Sequence, residues 1–151
     1  MNIVALDFRD IAEPAWLDKA ESFALDILAR LGKEEWELSI LFCGDAFIRE
    51  LNREYRDRDE ATDVLSFAQG EEIVDADGRK RFLAGDIVIS IDTLAKNAEY
   101  FAVERNEELK RLIIHGILHL CGLDHEDNDP SRPMLAKQEE LVAASAAVEM
   151  A

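Results

Sequence analysis

Apolar residues recur along the chain with two different spacings, which separate predicted strands from predicted helices. In a strand, alternate positions share a face, whereas in a helix every third and fourth position does. Residues 83–91 give the strongest strand signal, and the turn sequence at 75–78 makes them one arm of a predicted hairpin. The pattern predicts strands at 3–8, 36–43 and 63–67, followed by the hairpin over 73–91.

Five segments carry the helical spacing instead. Pro14 is predicted to open the first helix, because proline is favoured at a first helical position. Asp45 and Asp92 are each predicted to cap a helix, since an aspartate side chain there accepts hydrogen bonds from otherwise unpaired backbone N–H groups. The predicted helices cover residues 14–32, 45–56, 92–102, 104–122 and 134–150.

Strands dominate the middle of the chain and helices dominate its end, with one right-handed crossover expected early. This order predicts an α+β fold (a mixed α/β layer), in which a single small mixed β-sheet has helices packed against it. The 151 residues contain no repeat and no linker rich in proline, glycine or serine. We therefore expect one domain over residues 1–151, which is a typical size for a single core.

Composition narrows the class of protein further. Hydrophobic residues make up 48% of the chain and charged residues 33%, as in globular proteins. Uninterrupted apolar runs are only a few residues long, whereas a membrane span needs about 20, so no membrane segment and no signal peptide are expected. The two cysteines, Cys43 and Cys121, are predicted to be free thiols, as is typical of a cytoplasmic protein.

Charge argues against a general nucleic-acid coat protein. Seventeen Lys and Arg residues face 33 Asp and Glu residues, giving a net charge of −16, which repels DNA and RNA at long range. DNA is therefore not an expected partner. Composition favours solvated, acid-paired roles for the two clusters of cations, although a local basic patch is compatible with an acidic body. These clusters are Arg49, Arg53, Arg56 and Arg58, and the contiguous Arg79, Lys80 and Arg81.

The three histidines of the chain all lie within eleven residues. His115 and His119 are four residues apart in a helical segment, so both rings project from one face and can share a metal ion. Gly122 can end the helix and turn the chain, which would bring His125 round as a third ligand. Three imidazoles leave a fourth position open, as in catalytic rather than structural zinc sites. We expect one Zn²⁺ ion, with Asp124 able to orient a ligand.

Two other interpretations of the histidine segment compete with this one. Histidines among leucines can simply be core residues, but three with this spacing are hard to assign to packing. The spacing is also shared with the metzincin proteases, which need a glutamate directly after the first histidine as general base. Here that residue is Gly116. Cys121 is predicted to face away from His119 and to pack in the core rather than bind the ion.

At this point the sequence resembles the YbeY family of bacterial endoribonucleases. Residues 115–126, HGILHLCGLDHE, resemble that family's H-G-x-L-H-L-x-G-Y-D-H-E signature. Residues 51–67 and the GDIVIS sequence at 85–90 resemble two further family blocks in the expected order. Ala61 stands where the family usually has proline, and Leu123 where it has tyrosine, and neither change removes a chemical group needed for metal binding.

The resemblance implies a single-strand-specific, metal-dependent endoribonuclease that acts in rRNA processing, including 16S rRNA 3′-end maturation, and in ribosome quality control. It implies that Arg56 lies in the cleft facing the metal, where its guanidinium could grip a phosphate. The predicted catalytic residues are Arg56 and His115. The predicted metal ligands are His115, His119 and His125.

The expected partners are single-stranded RNA and a ribosome or ribosomal protein that delivers the acidic chain to its substrate. Both water and the substrate 2′-hydroxyl are compatible nucleophiles. One alternative is a non-enzymatic ribosome-biogenesis factor with a structural zinc, and the other is a zinc metalloprotease. The open fourth coordination position weighs against the first alternative, and Gly116 weighs against the second.

Overall fold

The computed structural model describes residues 1–124, 129 and 132–150. Within them the chain forms a four-stranded sheet and five helices. None of the described helices has the length and apolar character needed to cross a membrane. In chain order the elements are β1 (Ile3–Arg9), α1 (Leu17–Arg30), β2 (Trp36–Cys43), α2 (Asp45–Arg56), β3 (Val64–Val74), β4 (Lys80–Ser90), α3 (Ile91–Tyr100), α4 (Arg105–Leu120) and α5 (Pro133–Ala144).

The sheet is mixed, with strand order β1-β2-β4-β3. Strands β1, β2 and β4 run parallel to one another, so α1 must carry the chain back between β1 and β2, and β3 carries it back to the start of β4. Strand β3 is antiparallel to β4 and forms the hairpin with it. The predicted class, a single small mixed sheet with packed helices, is therefore confirmed.

Helices cover both faces of the sheet, as the alternation along β4 shows. Ile87 and Ile89 point into the main core with α1 and α4, whereas Val88 points to a smaller cluster on the opposite face. That cluster includes Ile48 of α2. Helix α4 packs against α1, α3 and α5 as well as the sheet, which makes it the central helix of the fold. Its last two turns carry His115 and His119.

Strand β3 is longer than the alternation pattern predicts. The predicted strand at 63–67 and the first arm of the hairpin form one continuous strand, because a bulge between Ala68 and Glu71 absorbs the break in alternation. Gly85 pairs with Ala68 at this bulge and has a φ of 141°. A Cβ atom at position 85 would lie 2.1 Å from the carbonyl oxygen of Phe67, so only glycine fits.

The predicted caps at Asp45 and Asp92 are wrong. Each carboxylate instead accepts hydrogen bonds from groups at the start of the other residue's helix. Gly44 precedes α2, and the Asp45 backbone N–H donates to Asp92 Oδ2 at 3.0 Å. Ser90 caps α3, and its hydroxyl donates to Asp45 Oδ1 at 2.7 Å. Thr93 Oγ1 and Lys96 Nζ also donate to the Asp45 carboxylate. The sequence pattern could not show this exchange, because it depends on parallel β2 and β4 ending side by side.

Two helix ends also differ from the predicted bounds. Helix α1 begins at Leu17, three residues after Pro14, and α5 ends at Ala144 rather than near Met150. At the end of α5 the Ser145 carbonyl accepts a buried 2.7 Å hydrogen bond from Lys110 Nζ, so α4 holds the chain where α5 stops. Cys43 and Cys121 are free thiols, as predicted.

Candidate metal centre at the end of helix α4

His115 and His119 form a close pair at the end of α4. Their ring centroids are 4.7 Å apart, and the distance between their Nε2 atoms is 3.1 Å. Two imidazoles that bind one tetrahedral ion at 2.0–2.1 Å place their nitrogens about 3.3 Å apart. The two Nε2 atoms therefore lie close to the separation that one shared ion requires, which is also hydrogen-bond distance in the metal-free pair, and these two residues fit the predicted metal.

Polar side chains contact the opposite nitrogen of each ring. His115 Nδ1 lies 2.6 Å from Gln138 Oε1 of α5, and His119 Nδ1 lies 4.0 Å from Asp124 Oδ1. An oxygen at Nδ1 favours a proton on that nitrogen, which leaves the lone pair on Nε2. The His115 ring is thus presented with its Nε2 lone pair toward His119 Nε2, whereas the 4.0 Å between Asp124 Oδ1 and His119 Nδ1 exceeds hydrogen-bond distance and leaves the orienting role of Asp124 a prediction.

The turn after α4 has the predicted glycine geometry. Gly122 adopts a φ of 89°, its N–H donates to the His119 carbonyl at 2.9 Å, and the Leu123 N–H donates to the Leu118 carbonyl at 3.1 Å. This pair of bonds is the Schellman motif, which ends a helix and reverses the chain. Among residues 1–124, 129 and 132–150, no group of three or more His, Cys, Asp or Glu side chains has metal-site geometry. His125, the predicted third ligand, lies outside the described residues and stays a prediction.

Gly116 explains why the segment lacks a protease glutamate. The residue faces β4 at van der Waals distance, and a Cβ atom there would lie 2.7 Å from Cγ2 of Ile87. Ile87 is fully buried in the main core and cannot move aside cheaply. The position after His115 therefore points into the core rather than toward the histidine pair. A general base could not act from it.

Replacing Gly116 by alanine should lower the free energy of unfolding by about 1–2 kcal/mol, because the overpacking cost exceeds the gain in helix propensity. At most interior helix positions the same substitution raises stability, so the sign of the change is diagnostic. Urea unfolding followed by circular dichroism measures it. A stabilised Gly116→Ala variant would contradict the close packing of α4 on β4.

Arg56 ends α2 and reaches across to β3. Its Nη2 donates to the Ser66 carbonyl at 2.7 Å, and its guanidinium lies 5.1 Å from the centre of the Phe67 ring. The Ser66 hydroxyl in turn donates to the Gly116 carbonyl, at 3.5 Å. Two hydrogen bonds therefore connect Arg56 to the residue that follows His115. The bond to Ser66 engages one of the five guanidinium N–H donors.

Three other cations of the two clusters are paired with acids. Arg49 binds Asp59 at 2.9 Å, and Arg58 lies 3.9 Å from Glu60. Arg81 is buried rather than solvated, and its guanidinium lies within ion-pair distance of Glu35 and Glu37. The composition-based expectation of solvated, acid-paired cations is thus met by Arg49 and Arg58, whereas Arg81 belongs to the interior.

A groove of about 870 Å³ runs beside His115, between α3, α4 and α5. Its polar lining includes Asp63, Asn97, Glu108, Arg111 and Gln138. Burial raises the pKa of the Glu108 carboxyl, although its hydrogen bond with Arg111 opposes this. The Asp63 carboxylate accepts a 3.0 Å hydrogen bond from Asn97 Nδ2, which ties the segment before β3 to α3.

Comparison with known proteins decides the family. The family model described as Endoribonuclease YbeY matches residues 7–146. The chain belongs to the YbeY family. An Endoribonuclease YbeY of Treponema denticola is 54% identical over 143 residues, which cover 93% of this chain and 92% of that protein. One from Treponema pallidum is 45% identical, over 95% of this chain and 89% of that protein.

A solved structure agrees with this assignment. The solution structure of a Thermotoga maritima protein matches with a TM-score of 0.62 and 27% identity, covering 92% of this chain and 86% of that one. The family, the fold and the enzyme class predicted from sequence are therefore confirmed. Neither the protease nor the non-enzymatic alternative is favoured by the YbeY relatives, which are named endoribonucleases.

Sequence reasoning missed Gln138, the residue of α5 that contacts His115. A signal was present, because Met134, Gln138 and Leu141 follow the helical spacing of a buried face. A glutamine at a core position of such a face calls for a hydrogen-bonding partner.

Proposed function

We propose that this YbeY-family chain is a single-strand-specific, metal-dependent endoribonuclease of the cytoplasm that processes rRNA, including the 3′ end of 16S rRNA. In this proposal one ion, Zn²⁺, would be held by His115 and His119 together with His125. The observation that carries the proposal is the 3.1 Å separation of the His115 and His119 Nε2 atoms, with His115 Nδ1 held by Gln138 Oε1 at 2.6 Å. The names of the YbeY relatives support RNA as the substrate.

In this proposal the residues of the chain have two roles: the histidines hold the ion, and Arg56 neutralises negative charge on the phosphate. A divalent ion at the histidine nitrogens supplies Lewis-acid chemistry, which stabilises negative charge that develops on a phosphate. Arg56 binds the phosphate through guanidinium N–H groups and stabilises the same charge from the α2 side. Gln138 Oε1 accepts a hydrogen bond from the His115 Nδ1–H group, so that the Nε2 lone pair of His115 faces the ion. In this proposal, a cation from α2 and two imidazoles from α4 act on one RNA phosphate.

Cleavage of defined substrates tests the proposal. Zinc-loaded chain should cut an unstructured RNA and lose this activity after chelation, with recovery when Zn²⁺ is returned. The same RNA annealed to its complement should be resistant, and casein should remain intact. Equal cleavage of duplex, or RNA cleavage that survives complete metal removal, would overturn the proposal.

Binding of single-stranded RNA should be weak and only modestly dependent on salt. A site with two or three phosphate contacts predicts a slope of log affinity against log salt of about −1.4 to −2.1. The pairing of Arg49, Arg58 and Arg81 with acids limits the cations that can contribute. Fluorescence anisotropy of a short labelled RNA across a salt series measures the slope. A much steeper slope would place further basic residues on the RNA path.

We further propose that a ribosomal protein delivers the RNA, because a chain with a net charge of −16 gains little from long-range attraction to RNA. A basic ribosomal protein surface is complementary to the acidic body. Co-sedimentation with ribosomal subunits, compared before and after the subunits are stripped of proteins with high salt, tests this. Equal binding to naked rRNA and to intact subunits would argue against a protein partner.

A further inference from the structure

Four polar side chains form a continuous chain of hydrogen bonds that ends on His115. Arg111 of α4 binds the Glu139 carboxylate twice, with Nε to Oε2 and Nη2 to Oε1 both 2.9 Å. Gln138 Nε2 donates to Glu139 Oε2 at 3.0 Å, and Gln138 Oε1 lies 2.6 Å from His115 Nδ1. The chain therefore leaves α4 at Arg111, crosses α5, and returns to α4 one turn later.

The Glu139 carboxylate determines which way the Gln138 amide faces. Its hydrogen bonds with Arg111 lower the pKa of the Glu139 carboxyl, so the group is ionised near neutral pH. An ionised carboxylate only accepts hydrogen bonds, and hence the amide nitrogen of Gln138 must face Glu139. The amide oxygen must then face His115. A reversed amide would place two acceptors, Oε1 and the carboxylate, against each other.

The amide oxygen in turn determines where the His115 proton lies. An amide oxygen 2.6 Å from Nδ1 can only accept a hydrogen bond, so the ring proton lies on Nδ1 and the lone pair of the neutral ring is on Nε2. That lone pair faces His119 Nε2, at the point where the ion is expected. The opposite tautomer would turn an N–H group toward the ion and prevent binding.

We propose that Gln138 is a positioning residue that keeps the His115 proton on Nδ1 and so directs the Nε2 lone pair to the metal ion, with Glu139 and Arg111 fixing the amide. This inference rests on the proposed function, because it assumes that His115 binds the ion. Packing alone does not explain an amide side chain at position 138. Gln138 is 6% exposed and lies on the same buried face as Met134 and Leu141, where an apolar side chain would be buried without desolvating polar groups.

The tautomer can be read without any metal. Long-range ¹H–¹⁵N NMR of the metal-free, ¹⁵N-labelled chain distinguishes protonated from unprotonated ring nitrogens, and only three histidines contribute signals. We expect His115 to be the Nδ1–H tautomer in the parent chain and a mixture of tautomers in Gln138→Leu. The same tautomer populations in both chains would overturn the proposal.

Metal affinity gives a second measurement that is independent of cleavage. Zn²⁺ affinity, measured by competition with a chromophoric chelator, should fall about 10- to 100-fold in Gln138→Leu. The swap variant Gln138→Glu/Glu139→Gln should restore most of the affinity, since an oxygen, now of a carboxylate, again faces Nδ1, and the new amide at position 139 can donate to that carboxylate and accept from Arg111. Glu140→Gln, at an exposed position of α5 paired with Lys137, is the matched control and should bind Zn²⁺ like the parent.

The outcomes separate this inference from the proposed function. Unchanged Zn²⁺ affinity in Gln138→Leu, or a swap variant as weak as Gln138→Leu although it folds, would overturn the positioning role. A parent chain that takes up no Zn²⁺ would instead overturn the proposed function. In that case the NMR comparison would still decide whether Gln138 controls the His115 tautomer.

Discussion

His119→Ala should remove bound Zn²⁺ and reduce RNA cleavage by more than about 100-fold, a larger loss than that expected from removing an orienting side chain. The reason is geometric, since the variant retains only one of the two Nε2 atoms that lie 3.1 Å apart. Elemental analysis of the purified variant beside the parent, together with initial cleavage rates, measures both effects. The folded state should persist, because His119 is only partly buried at the end of α4.

Cys121→Ala is the matched control for this experiment. Cys121 follows the last turn of α4 and packs against the main core, and burial raises the pKa of its thiol. The variant should keep one Zn²⁺ per chain and near-parent activity. Loss of the ion from Cys121→Ala, or full metal content in His119→Ala, would mean that the ligand set has been assigned wrongly.

Arg56→Ala should lower the cleavage rate by about 10²- to 10³-fold while leaving Zn²⁺ content unchanged, because it removes a cation that stabilises charge on the phosphate. Arg56→Lys should recover only part of the rate, since an ammonium group lacks the planar fork of a guanidinium. Single-turnover cleavage of a short RNA at saturating enzyme separates this effect from weaker binding.

Arg49→Ala provides the comparison on the same helix. The substitution removes an equal charge. Because Arg49 is bound to Asp59, we expect its loss to change the cleavage rate little. Because Arg56 also joins α2 to β3 through Ser66, unfolding curves should accompany the rates. A normal cleavage rate in folded Arg56→Ala would remove Arg56 from the mechanism.

The elements of the fold were largely predictable because each depends on local periodicity. Helices α2 and α4 begin and end within about a residue or two of the predicted positions, since an amphipathic pattern and a terminating residue mark each end. Strand β3 was split in the prediction because its bulge at Ala68 depends on the partner residue Gly85. Strand pairing depends on residues throughout the sheet, so it cannot be predicted well from the sequence of one segment.

The candidate site shows the same division between local and long-range information. The spacing of His115 and His119 on one helix correctly predicted that their rings meet. The contact of Arg56 with Ser66 and the contact of Gln138 with His115 join separate elements, and neither follows from spacing. The sequence shows that Gly116 stands where a metzincin protease has glutamate. The physical reason for glycine, its close contact with Ile87, depends on how α4 packs against the sheet.

The exchange between Asp45 and Asp92 has a consequence for how the molecule opens. Because each carboxylate satisfies groups at the start of the other helix, neither first turn can fray without breaking bonds of both. We expect the amides there to exchange with solvent as one cooperative unit, with nearly equal protection factors. Arg56 lies at the far end of α2, and Asn97, which holds Asp63, lies on α3. Helices α2 and α3, with Arg56 on one and Asn97 on the other, would then keep a fixed spacing through thermal fluctuations that loosen either helix alone.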